Sequence, residues 1–195
     1  MARPREFAED TVLDRALELF WDRGYEGTSV EALVQHTGVQ RASLYATFGN
    51  KHDLFVATLK RYFERQFLLD SEAGLAGIED LLRRVACDAS GNCRGCYMIN
   101  AGMEMAENDP AIAQMMSEAV QGMEAAVAAA LRRGQERGEV AARPVLPMAR
   151  MVVSAVLGMR VLARARAGKD VAEGVVEGTL DALKNSGTFV LQSHQ

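Results

Sequence analysis

The chain has 195 residues, 49% hydrophobic and 25% charged, with a formal net charge of −4 at pH 7. That length supplies a core for one medium domain or for a small domain joined to a larger one, and a mean hydropathy of −0.06 with a pI near 5.5 excludes a disordered tail protein, a polybasic arm and a strongly supercharged chain. The longest apolar run, Met151 to Met159 with Ser154 inside it, falls below the ~18 residues of a membrane span, and Met1 to Phe7 lacks the apolar stretch of a secretory signal, so a cytoplasmic protein with no membrane partner is expected.

Helical spacing recurs along the chain and no stretch alternates long enough to read as a strand, so the fold class is all-α. Leu13, Ala16, Leu17 and Phe20 form the stripe of a first helix ending at Gly24. Thr28-Ser-Val-Glu31 reads as a capping box with Thr28 as the cap, opening a second helix that turns Val30, Leu33 and Val34 inward and stops at Gly38. Gln40 to Thr47 allows about two turns, with Leu44 and Phe48 on the inner side, before Gly49-Asn50. Asn50 caps a longer helix with Leu54, Phe55, Leu59, Tyr62 and Phe63 inward.

Ten of the twelve aromatic residues lie at or before Phe67, whereas nine of the ten methionines lie between Met98 and Met159. Two differently built cores are implied, joined near residue 70 at Asp70-Ser-Glu-Ala-Gly-Leu-Ala-Gly77. Residues 1–70 and 71–195 are therefore read as separate domains. Beyond the joint, helices are expected over Ile78 to Ala89 and Met98 to Glu107, then from Pro110 behind a cap at Asn108-Asp109 to the Gly134–Gly138 region. Another follows Pro144 and Pro147 and closes at Gly168. The last is capped by Asp170, with Val171, Val175, Leu180 and Leu183 inward.

Two short helices joined by Thr37-Gly38-Val39 behind a longer helix are the layout of a helix-turn-helix. From Ala32 to His52 there is no Asp or Glu, while Arg41 and Lys51 are present, so phosphates can approach without repulsion. Phe20, Gly24-Tyr25, Thr28, Leu33 to Gly38-Val39, Ser43-Leu44-Tyr45, Phe48 and Lys51-x-x-Leu54-Phe55 together resemble the DNA-binding domain of TetR-family transcriptional regulators, over roughly residues 8 to 65. The resemblance implies an N-terminal helix-turn-helix domain over 1–70 and a helical effector-binding and dimerisation domain over 71–195. It implies a recognition helix at Gln40 to Thr47, with Arg41, Ala42 and Ala46 toward base edges and Thr28, Ser43, Tyr45, Thr47 and Lys51 toward phosphates. Arg41 suits guanine, and the two alanines offer methyl contact to thymine. Arg3 and Arg5 would reach a minor groove. The implied partners are double-stranded operator DNA, a second copy of the chain and a small-molecule effector, and the implied activity is that of a repressor. The last two helices would form the dimer contact, where Ala155, Gly158, Ala163, Ala172 and Gly178 permit close approach.

Three cysteines, Cys87, Cys93 and Cys96, are too few and odd in number for a disulfide framework, so reduced thiols are expected. Cys93-Arg-Gly-Cys96 has the spacing of redox or zinc sites, giving a redox- or electrophile-sensing regulator as the alternative. It also resembles the C-x-x-C-x-x-x-H of helical peroxidase and decarboxylase-like proteins, but Asn100 stands where their histidine would activate the thiolate, and an amide takes no proton. No catalytic residue, cofactor or metal is therefore expected, and scattered histidines make no metal site. Methionine-rich helices between residues 75 and 165 suit a small apolar or amphipathic effector. Tyr97, Met103, Met123 and Met151 are the candidate lining residues, and Arg150 and Glu104 the candidates to orient a polar end.

Overall fold

In the computed structural model, which describes residues 3–66, 69–91 and 94–184, the described residues form helices and turns only. In chain order these are α1 (Arg3–Arg23), α2 (Val30–Thr37), α3 (Arg41–Phe48), α4 (Lys51–Gln66), a 3-10 turn at Ser71–Ala73, α5 (Leu75–Gly91), α6 (Tyr97–Met105), α7 (Pro110–Glu136), α8 (Val145–Arg164) and α9 (Lys169–Lys184). Two compact units result, one of residues 1–68 with 94–120 and the other of 69–93 with 121–195. The chain leaves the first unit near the joint at residue 70, and residues 94–120 return to it.

The first unit has an aromatic core. Phe20 and Phe55 are buried and meet edge-on at 5.0 Å, Trp21 meets Tyr62 at 5.3 Å, and Tyr97 of α6 closes the cluster at 5.9 Å from Phe55 and 5.6 Å from Tyr62. Such offset and edge-on contacts add to the burial of the rings. The Tyr97 hydroxyl lies 2.8 Å from Thr58 Oγ1, which donates in turn to the Phe55 carbonyl. Burial pushes the Tyr97 phenol well above its usual range. Beside this core, Arg61 of α4 spans both carboxylate oxygens of Asp14 (2.5 and 2.9 Å) and reaches Asp10 at 2.5 Å. This fork fits a carboxylate in two places at once and ties α1 to α4.

The cap of α2 falls one residue later than expected. Ser29 is the cap, its hydroxyl accepting the Ala32 N–H, whereas Thr28 is fully buried and donates to the Gly24 carbonyl at 2.7 Å. Gly38 ends α2 as expected, at φ +74°, with its N–H on the Val34 carbonyl. Asn50 caps α4 reciprocally with Asp53: Asn50 Oδ1 accepts the His52 and Asp53 N–H groups, and Asp53 Oδ2 accepts from Asn50. Asp109 caps α7 through the Ala111 and Ile112 N–H groups, just ahead of Pro110.

In the second unit α5 packs on α8 and α9, which also pack on each other. Ile78, Leu82, Leu131, Val152, Met159 and Leu183 are buried there. The turn after α7 is fixed by Gln135, whose side-chain amide donates to the Ala141 and Arg143 carbonyls at 2.8 Å each. Two expectations are corrected. The inward stripe of α9 is Ala172, Val176, Thr179, Leu180 and Leu183, with Val171 43% exposed, because adjacent apolar pairs offer two stripes and packing on α5 and α8 selects one. The helix also starts at Lys169, so Asp170 sits in its first turn rather than at its cap. By length and composition, α8 is apolar enough to cross a membrane, with mean hydropathy 1.7 over 18 residues. The interrupted run at 151–159 understated this, because apolar residues on either side extend it. In the fold, Met148, Ala149, Val152, Val153, Val156, Met159 and Ala163 of this helix are buried.

Candidate nucleic-acid interface

The turn between α2 and α3 is braced from three directions. Thr37 is buried and donates to the Leu33 carbonyl at 2.7 Å, its oxygen accepts the Val39 N–H at 3.3 Å, and Arg15 of α1 donates to the Thr37 carbonyl at 3.0 Å. Leu44, wholly buried, anchors α3 against the unit. That leaves Gln40, Arg41, Ala42, Ser43, Ala46 and Thr47 exposed, with Tyr45 half-buried. The cap of α3, Gln40, makes no side-chain hydrogen bond to the helix, so the first N–H groups lack a side-chain partner there.

Arg41 and Lys51 each lie against a ring. The Arg41 guanidinium lies 5.5 Å from the centre of the Tyr45 ring, and the Lys51 ammonium 4.2 Å from that of Tyr25. Ring faces attract cations and limit the conformations of a long side chain. Tyr25 also meets Phe55 at 5.0 Å and His52 at 6.3 Å, and burial, reinforced by Glu26 and Asp109, pushes its phenol above the usual range. His52 Nε2 lies 2.5 Å from Asp109 Oδ2. The hydrogen bond from His52 holds the Asp109 carboxyl below its ordinary range despite opposing desolvation.

Of the residues singled out for DNA, Gln40, Arg41, Ala42, Ser43, Ala46 and Thr47 lie on or beside one exposed face of α3, with Tyr45 at its edge and Lys51 at the start of α4. Thr28 is the exception. Its side chain has no exposure, and both its N–H and its hydroxyl are bonded within the α1–α2 turn, so it shapes that turn rather than meeting a phosphate. At Arg3 and Arg5 the backbone belongs to α1, and their side chains lie outside the described residues.

The candidates for effector binding separate. Tyr97 is enclosed in the aromatic core of the first unit, and Met103, in the same unit, is 83% exposed, so neither lines an internal pocket there. Met123 and Met151 are half-buried in the second unit. Arg150 is exposed and pairs with Glu124 at 3.3 Å, and Glu104 binds backbone N–H groups of the α1–α2 turn. Cys96 is buried with its sulfur 3.4 Å from the Tyr62 hydroxyl, Cys87 is exposed, and Cys93 lies outside the described residues. Asn100, at the position of the enzyme-like histidine, donates to the Arg94 carbonyl at 3.2 Å and so closes its own loop. Sequence reasoning missed Tyr25 as the seat of Lys51 and Glu104 as a cap. The Gly24-Tyr25 pair was the available signal for the first.

The family model of bacterial regulatory proteins of the tetR family matches residues 12–58, and that of the tetracyclin repressor-like C-terminal domain matches residues 77–179. The chain is 30% identical over 193 residues to the HTH-type transcriptional regulator YezE of Bacillus subtilis (strain 168), covering 94% of this chain and 100% of that one. It is 35% identical over 173 residues to the HTH-type transcriptional repressor ComR of Escherichia coli (strain K12), covering 83% and 82%. Among solved structures, the TetR family transcriptional regulator CifR, a cysteine mutant complexed with 26 bp double-strand operator DNA, is similar with a TM-score of 0.78 at 30% identity, covering 89% of this chain and 95% of that one. With both family models matched in order, the first on the helix-turn-helix and the second on the helices that follow, the chain belongs to the TetR family of DNA-binding transcriptional regulators and is not an enzyme.

Proposed function

We propose that this regulator is a cytoplasmic repressor, a homodimer that reads a palindromic operator and is released by a small apolar or amphipathic effector. The observation that carries this reading is the exposed face of α3, where Arg41, Ala42, Ser43, Ala46 and Thr47 stand over a buried Leu44 with Lys51 beside them. Arg41 reads guanine, the alanine methyls meet thymine, and Gln40, Ser43, Tyr45, Thr47 and Lys51 hold phosphates. The names of ComR, a repressor, and of CifR with operator DNA support the direction of regulation and the kind of DNA. In this reading residues 1–70 bind DNA and residues 71–195 bind effector and dimerise, while 94–120 brace the first unit.

Support for the dimer comes from the outer faces of α8 and α9. Val161 and Val171 are 48% and 43% exposed, and an added Cβ at Gly158, Gly174 or Gly178 would meet nothing within 4 Å. A glycine inside a helix costs about 1 kcal/mol relative to alanine, and nothing among the described residues requires these three. Close approach of a second copy does. Ala163 and Ala172, expected on this surface, face the unit's own core instead, and Gly174 takes a place beside Gly178. The effector is argued from Met123 and Met151, whose flexible thioethers repack around ligands of varied shape.

Selection of bound duplexes from a random pool tests the whole reading. Enriched sequences should be palindromes whose half-site centres lie about 34–36 Å apart, in successive major grooves. Enrichment without twofold symmetry would count against the dimeric reading. A candidate effector, titrated calorimetrically with and without that duplex, should bind the DNA complex more weakly by the factor with which it weakens DNA binding. Equal affinities would exclude that molecule as an inducer.

A further inference from the structure

Two carboxylates at the corner between α6 and α7 reach back to the start of the DNA-binding helices. Glu104, in the last turn of α6, accepts the backbone N–H of Tyr25 on Oε2 at 2.9 Å and that of Glu26 on Oε1 at 2.8 Å. It thereby caps the α1–α2 turn from a distant part of the chain. Gly24 makes room for it: a Cβ there would stand 2.7 Å from Glu104 Oε2, and the residue sits at φ +75°. Asp109 divides its oxygens, Oδ1 capping α7 and Oδ2 meeting His52 Nε2 at 2.5 Å. The corner is short, closed by the Ala106 N–H on the Gly102 carbonyl and the Asn108 N–H on the Met105 carbonyl, and a Cβ at Gly102 would come within 3.3 Å of Met116.

Tyr25 lies between the two anchor points. Glu104 holds its backbone, Asp109 holds the His52 ring that meets it edge-on, and the Lys51 ammonium rests 4.2 Å from the centre of its ring. We propose that Glu104 and Asp109 are positioning residues for DNA binding: by fixing the Tyr25 backbone and the His52 ring, they hold the Lys51 ammonium where a phosphate meets the N-terminus of α4. The inference rests on the reading of Lys51 as a phosphate contact. A lysine that docks on a phosphate loses rotamer freedom, and a fixed ring removes part of that freedom beforehand.

The experiment measures affinity of the full-length protein for a fluorescein-labelled mixed-sequence duplex over a series of salt concentrations. Phosphate contacts are sequence-independent and each sets part of the slope of log affinity against log salt. Lys51→Ala should lower the slope by about one unit per protomer. Glu104→Gln and Asp109→Asn should each lower it toward the same value, weaken binding several-fold, and add nothing to either quantity in the Lys51→Ala background. Trp21, the sole tryptophan, sits in the aromatic core and reports by its emission that the first unit is folded. A purely structural role would lower the melting temperature and leave the slope of the folded protein unchanged. Wild-type slopes in both carboxylate variants, or full additivity with Lys51→Ala, overturn the inference and leave the DNA reading standing. A wild-type slope in Lys51→Ala itself overturns the phosphate contact and the inference together. Should Glu104→Gln fail to fold, Asp109→Asn carries the test alone, since an asparagine oxygen still accepts the capping N–H groups of α7.

Discussion

Arg41 and Lys51 open two consecutive helices, ten residues apart, yet losing each should leave a different mark. Lys51→Ala and Tyr45→Phe are expected to weaken operator and random DNA alike, because phosphates carry no sequence. Arg41→Ala should cost about 1–3 kcal/mol at one base-pair position and relax preference there. Competition titrations with singly substituted operators separate the two patterns. Carboxylates make a second prediction at this scale. Asp14 is held below the ordinary 3.8, foremost by its hydrogen bond from Arg61, and Asp109 foremost by its bond from His52. With folded values below unfolded ones, the unfolded chain takes up these protons first as pH falls. The stability they supply is therefore complete above the ordinary carboxylate range and is lost as pH drops through the folded values. Urea midpoints should be level near neutrality with respect to these groups and fall below about pH 4, and Asp14→Asn should flatten that acid limb.

Among the elements, α2 offers a test of its corrected start. Ser29→Ala should destabilise the fold by about 1 kcal/mol through the lost cap. Thr28→Val removes instead the buried hydroxyl bonded to the Gly24 carbonyl, and Thr28→Ser should restore most of what Thr28→Val loses. Urea unfolding of the three variants distinguishes the two roles. The ambiguity was physical: Thr28 and Ser29 are both able to cap, and the choice depends on how the α1–α2 turn tucks under Gly24. The helix-turn-helix itself was legible, because Gly38, Leu44 and Asn50 each act on their immediate neighbours. The face of α9 was not, since Val175 and Val176 stand side by side and only packing selects between them. Glu104 left no local sign either, its partners Tyr25 and Glu26 lying 79 and 78 residues away. Exposed Met103 and enclosed Tyr97 show the same limit, for composition marks a methionine-rich region without saying which side chains turn inward.

For the whole molecule, the proposed dimer predicts that Val171→Asp or Gly178→Leu, both on the open face of α9, yields monomers by light scattering. Either variant should lose affinity for a palindrome far more than for a single half-site. Tyr97 sets a different constraint. Tyr97→Ala, by analogy with other large aromatic truncations, should cost about 3–5 kcal/mol, read as a lowered thermal midpoint of the first unit, because the ring fills the space among Phe55, Tyr62 and Trp21. That keystone comes from beyond the joint, in the stretch 94–120 that belongs with residues 1–68. Gene recombination between relatives at residue 70 would consequently graft one parent's aromatic cluster onto the other parent's tyrosine. A viable hybrid needs three seams rather than one, after 68, before 94 and after 120, and the ancestry of 94–120 should follow that of the operator-reading half.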